Sequence, residues 1–139
     1  MTVFLYYVGK PRSAEANRIT ADFIERIVHY TSCELREVRP ERFDPWARHP
    51  SARKVFLDPA GKEMDSRQFT ALVEKSEMEG RDLLFLVGGA DGLPEGWSAR
   101  ADLVLSLSRM TFPHEFARAM LAEQIYRAFA TLRGHPYPR

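Results

Sequence analysis

Five consecutive apolar residues, Leu83-Leu84-Phe85-Leu86-Val87, leave this chain few ways to fold. A strand shows alternate residues to opposite faces, so an unbroken apolar strand must be covered on both sides. That is the situation of an inner strand in a parallel sheet. The neighbouring segments agree. Val3–Val8 is a second apolar run, ended by Gly9-Lys10-Pro11, and Val55-Phe56-Leu57 and Leu103–Leu107 are two more. Asp58-Pro59-Ala60-Gly61 predicts a turn after the third run. Cys33–Val38 alternates and predicts a strand at an edge. Helical spacing fills the gaps. Ser13 is placed to cap a helix over 14–30, whose Ala16, Ile19, Phe23, Ile27 and Tyr30 recur at three- and four-residue steps. Asp65 with Gln68 forms a capping-box pattern opening a helix to Glu79, which Gly80 ends. Pro94–Ala101 predicts a short helix, and His114–Leu132 a long one stopped by Gly134. Strands alternating with helices predict one mostly parallel α/β domain over residues 1–139.

Charge excludes little. The chain carries 20 Lys+Arg and 19 Asp+Glu, a net +1 that does not announce a nucleic-acid binder. From Arg109 onward, however, five arginines stand against two acids, Glu115 and Glu123. The lone Cys33 cannot form an internal disulfide and suits packing better than nucleophilic chemistry. No apolar run is long enough to cross a bilayer, and the N-terminus lacks signal-peptide features, so a cytoplasmic protein without a membrane partner is expected. No metal is expected.

Three stretches invite functional readings. Ligands of open α/β sheets bind where strand ends meet helix starts, and the chain has two such ends, Phe85–Leu93 and Leu105–Pro113. Pro40–Ala52 mixes Phe43 and Trp46 with Arg36, Arg39, Arg42, Arg48, Arg53 and Lys54. It reads either as an RNA grip or, given Glu34, Glu37, Glu41 and Asp44, as a solvated loop. The last helix has two apolar stripes, Leu121, Ile125, Phe129, Leu132 and Phe116, Ala119, Met120, Tyr126. A helix lying on a sheet needs only one, so a second copy of the chain is expected against the other. The tail His135-Pro136-Tyr137-Pro138-Arg139 either frays or binds substrate through aromatic stacking and phosphate contact.

Four ordered motifs then carry a resemblance: Leu-Val-Gly-Gly-Ala-Asp-Gly-Leu (86–93), Leu-Ser-Leu-Ser-Arg-Met-Thr-Phe-Pro-His (105–114), Leu-Ala-Glu-Gln-Ile-Tyr-Arg-Ala (121–128) and Arg-Gly-His-Pro-Tyr (133–137). Val-Gly-Lys (8–10) and Phe-Leu-Asp-Pro-Ala-Gly (56–61) fit as well. Together they resemble the RlmH family of ribosomal large-subunit pseudouridine N3-methyltransferases, in the SPOUT class of α/β-knot enzymes. The resemblance implies a C-terminal trefoil knot, an exception to the rule against knots, and a homodimer whose sites are completed by the partner's tail. It implies S-adenosylmethionine as cofactor, held by Leu57, Gly88, Leu107, Ser108, Arg109, Met110, Thr111 and Phe112. The implied substrate is a pseudouridine of 23S rRNA in the assembled ribosome, not DNA.

The residue chemistry is compatible. Gly88 and Gly89 allow close backbone approach to a ligand. Methyl transfer rests largely on positioning. N3 of the pseudouridine must also lose a proton, and His114, His135 and Tyr137 are the candidate bases or orienting groups. The catalytic set expected is His135, Tyr137 and Arg109, and RNA contacts are expected from Arg133, His135, Tyr137 and Arg139. Two features depart from the family. Pro138 stands where a histidine is common, and 40–52 is shorter than the usual middle region. They keep open a catalytically impaired RNA- or ribosome-binding protein of the same fold, or a SPOUT methyltransferase with another substrate. The glycine fingerprint of a dinucleotide-binding enzyme is missing.

Overall fold

The computed structural model describes residues 1–137. Five strands, β1 (Thr2–Val8), β2 (Ser32–Val38), β3 (Arg53–Glu63), β4 (Leu83–Val87) and β5 (Leu103–Ser106), form one sheet in the order β2-β1-β4-β3-β5. Every pairing is parallel. Leu83–Val87 sits at the centre and is wholly buried, and Cys33–Val38 lies on an edge, as their patterns predict.

The strand period sorts side chains between two cores. Leu5, Phe85 and Val55 point to one face, where Ile27, Val73, Leu121 and Ile125 meet them. These come from helices α1 (Ala14–Val28), α3 (Ser66–Met78) and α5 (His114–Leu132). Ser13 caps α1 through the Ala16 amide, and Asp65 and Gln68 complete the capping box of α3. On the opposite face Tyr6, Phe56, Leu84 and Leu86 are covered without a long helix. The cover comes from the 38–52 segment with the one-turn helix α2 (Pro45–Arg48), and from α4 (Trp97–Arg100).

That cover corrects the reading of 40–52. The aromatics expected there as an RNA grip, or as part of a solvated loop, are packing groups. Trp46 packs edge-on against Phe56 and Trp97 at ring separations of 5.7 and 5.4 Å, and its indole donates to the Arg100 carbonyl. The Arg100 guanidinium lies 3.8 Å from the Trp46 ring centre. Phe43 meets Tyr6 edge-on. Burial of the Cys33 thiol pushes its pKa up to about 12, in keeping with a packing role.

The 58–61 turn also differs from its expectation. β3 does not end there. Leu57 pairs with Leu105, the chain bulges out through Asp58–Gly61, and Lys62 returns to pair with the same Leu105. Gly61 makes the return possible, since a Cβ there would stand 2.6 Å from the Val104 carbonyl oxygen.

Candidate methyl-transfer site

At the C-terminal ends of β3, β4 and β5 the chain encloses a cavity of about 560 Å³, within the range of small-ligand sites. Three loops build it. Leu57, Asp58 and Pro59 come from the bulge in β3, Val87–Ala90 and Gly92 follow β4, and Leu107–Pro113 connects β5 to α5. His114 and Ala117, in the first turn of α5, close the floor. Two sequence-expected strand ends therefore converge, with a third that the turn reading of 58–61 understated.

The cofactor set expected from sequence meets here, with one exception. Leu57, Gly88, Leu107, Ser108, Met110, Thr111 and Phe112 all line the cavity. Arg109 does not. Its side chain is 74% exposed and its Nε donates to Glu63 at 3.1 Å, clamping the β5–α5 loop to the end of β3. Ser108 Oγ accepts the Met110 amide and shapes the loop from inside.

Gly88 also makes room for the chain itself. A Cβ on it would lie 2.5 Å from the backbone of Gly92. The space is taken by the chain's own turn, which the Gly92 N–H to Gly89 C=O bond closes. Gly92, at φ +79°, holds the left-handed conformation that the turn requires.

The tail lies elsewhere. Gly134, at φ +71°, ends α5, and the His135 amide returns to the Ala130 carbonyl, a helix C-cap. Tyr137 packs on Tyr126 at 4.8 Å and donates its hydroxyl to Glu123. Burial and that bond hold its pKa above the ordinary 10.0. His135 is exposed, and Arg133 is engaged in a two-pronged pair with Glu77 at 3.1 and 2.5 Å. Of the three candidate proton acceptors, only His114 lines the cavity. Arg139 lies outside the described residues.

A second, apolar groove of about 840 Å³ runs between α1, α3 and α5. Ile19, Phe116 and Met120 stand exposed along it, while Ala119 and Tyr126 of the same stripe are buried within the protomer. Glu123, which holds Tyr137, sits on its rim.

The family model described as "Predicted SPOUT methyltransferase" matches residues 1–138. The chain belongs to the SPOUT methyltransferase family. This SPOUT chain is 65% identical over 139 residues, 100% of both sequences, to the ribosomal RNA large subunit methyltransferase H of Solibacter usitatus (strain Ellin6076). It is 34% identical over 155 aligned positions to the protein of the same name from Laribacter hongkongensis (strain HLHK9), covering 100% of this chain and 99% of that one. A solved structure, a probable methylase family protein from Haemophilus influenzae Rd KW20, shares the fold with a TM-score of 0.62 at 11% identity. That match covers 99% of this chain and 70% of the other.

A methyltransferase needs a methyl donor, and the residues of this SPOUT cavity suit one. Among the described residues lining it, Asp58 and His114 carry the titratable side chains and Ser108 and Thr111 the hydroxyls, and the rest is backbone and apolar surface. Such a lining offers main-chain groups, two hydroxyls and a single carboxylate to a small ligand. Sequence reasoning missed Asp58, Pro59 and Gly92 as lining residues. The 56–61 and 86–93 motifs were their signal, from which the resemblance drew only Leu57 and Gly88.

Proposed function

We propose that this SPOUT chain methylates N3 of a pseudouridine in 23S rRNA of the assembled ribosome, using S-adenosylmethionine, as a cytoplasmic homodimer with a knotted C-terminal region. One observation carries the reading. The cavity gathers nearly all of the expected cofactor residues, in a chain 65% identical to a ribosomal RNA large subunit methyltransferase H. S-adenosylmethionine, when bound, supplies an electrophilic methyl group on a sulfonium.

The chain's residues do the rest. Main-chain groups of Gly88, Gly89, Ala90 and Gly92 and of Leu107, Ser108, Met110, Thr111 and Phe112 would hold the cofactor, and Asp58 would offer a carboxylate to its ribose or its positive end. His114, in the first turn of α5, is placed to orient the target base or take the N3 proton. His135 and Tyr137 lie at the far end of α5, away from their own cavity lining. If they act on substrate they act across the dimer, and the bond from Tyr137 to Glu123, which lines the exposed apolar groove, supports that arrangement. Arg109 acts as a loop clamp in this reading, and Arg133 reaches phosphate only by leaving Glu77.

The test is methyl transfer from labelled S-adenosylmethionine to ribosomes lacking the modification, beside free rRNA and tRNA, with calorimetric titration of the cofactor. Methylation of ribosomes at the pseudouridine is expected. Cofactor binding with transfer only to another RNA would replace the substrate, and binding without any transfer would favour the impaired RNA-binding reading.

A further inference from the structure

We propose that the β1–α1 loop forms the RNA-contacting rim of this cavity, with Lys10 and Arg12 as its phosphate contacts. The inference rests on the rRNA substrate proposed above. Neither residue follows from the cofactor set or from the C-terminal tail.

The loop borders the cavity. A Cβ added to Gly89 would stand 3.1 Å from the Val8 carbonyl oxygen, and one added to Gly9 would stand 4.0 Å from His114 Nε2. Gly89 and His114 both line the cavity. Gly9, at φ +100°, makes the turn that starts the loop.

The loop is also fixed. Glu115, one residue after His114, is buried and accepts the Arg12 amide at 2.6 Å, the Ser13 amide at 3.1 Å and Asn17 Nδ2 at 2.9 Å. Behind it Arg118 is fully buried, donates to Asn17 Oδ1 at 2.8 Å and lies 3.5 Å from the Tyr7 ring centre. These hydrogen bonds hold the segment in a single geometry. The geometry they select is that of the loop against the start of α5, and so against the cavity.

What the fixed loop presents is positive. Lys10 and Arg12 are exposed, and neither has an acidic partner among the described residues. Arg133, expected from sequence to contact RNA, and Arg109 are instead paired with Glu77 and Glu63. Phosphate contacts set the register of a nucleic acid without reading its bases. A loop of set position carrying two free cations at a cavity rim meets that need in a chain of net charge +1.

The experiment compares wild type with Lys10→Ala/Arg12→Ala and Lys10→Glu/Arg12→Glu double variants. It measures cofactor affinity by calorimetry, kcat and KM on unmethylated ribosomes, and binding of the target rRNA stem-loop across salt. Expected are unchanged cofactor affinity and thermal midpoint, kcat within about twofold, and KM raised about tenfold or more. The salt slope of RNA binding should fall by about one per lost contact. Charge-reversed protein with wild-type KM and salt slope would overturn the inference while leaving the methyltransferase reading intact. Wild-type protein that binds cofactor but methylates no ribosome would overturn that reading, and the loop inference with it.

Discussion

The hydroxyl of Tyr137 donates a 2.5 Å hydrogen bond to the carboxylate of Glu123, three turns back along the helix that the tail follows. The tail is thereby folded against its own helix, tied to a residue that lines the exposed groove and apart from its own cavity. Tyr137→Phe separates an anchoring phenol from one that acts on RNA. Methyl transfer at saturating ribosomes should fall about 100-fold, with cofactor affinity unchanged. Because the phenol is held above its ordinary 10.0, the wild-type pH–rate profile should show no phenol ionisation between pH 7 and 9. Stopped-assay kinetics across that range check both.

Glu115 makes stability depend on acid. Three N–H donors from the β1–α1 loop and Asn17, outweighing burial, bring its carboxyl down to about 2 from an ordinary 4.5. The folded form therefore binds a proton less readily than the unfolded form. The contribution is fully present above pH 4.5 and is lost as pH falls through that value toward 2. Its size is on the order of 3 kcal/mol. Urea melts at pH 6 and at pH 3 should show a steeper loss in wild type than in Glu115→Gln.

Gly88→Ala should damage the cavity without a bulky probe. The new methyl group would meet Gly92 backbone at 2.5 Å, and main chain cannot rotate away as a side chain can. A stability cost of about 1–3 kcal/mol and at least a tenfold loss of cofactor affinity are expected. Thermal melts and calorimetry read the two effects separately.

Phe116→Glu tests the proposed dimer. Phe116 is 52% exposed on the apolar groove, so a charge there leaves the protomer's own core intact. The dissociation constant should rise at least about 30-fold, roughly 2 kcal/mol. Sedimentation velocity should show monomers with unchanged circular dichroism. Methyl transfer should fall with them if the partner's tail completes each site.

Local signals carried much of the fold. The Leu83–Val87 run, the Ser13 cap and the Asp65–Gln68 box act within a turn or a strand, and each element formed where its residues predict. Contacts between distant segments were less legible. Nothing local says that Trp46 will meet Trp97, so the aromatic loop read as a solvent-facing grip instead of a cover. The β3 bulge eluded the pattern because its turn residues are genuine, and only pairing with β5 brings the strand back. At the site, the motifs located the cavity loops. They could not show that Arg109 and Arg133 already face Glu63 and Glu77, since an ion pair across 46 or 56 positions leaves no periodic trace.

The bulge at Asp58–Gly61 has a kinetic meaning. Its two ends are stitched to one residue of the neighbouring strand, Leu105, so this wall of the cavity is a closed staple with no free end to swing. In hydrogen exchange the staple's tip should trade deuterium quickly while Leu57 and Lys62 on either side stay slow together, opening only when β5 itself detaches.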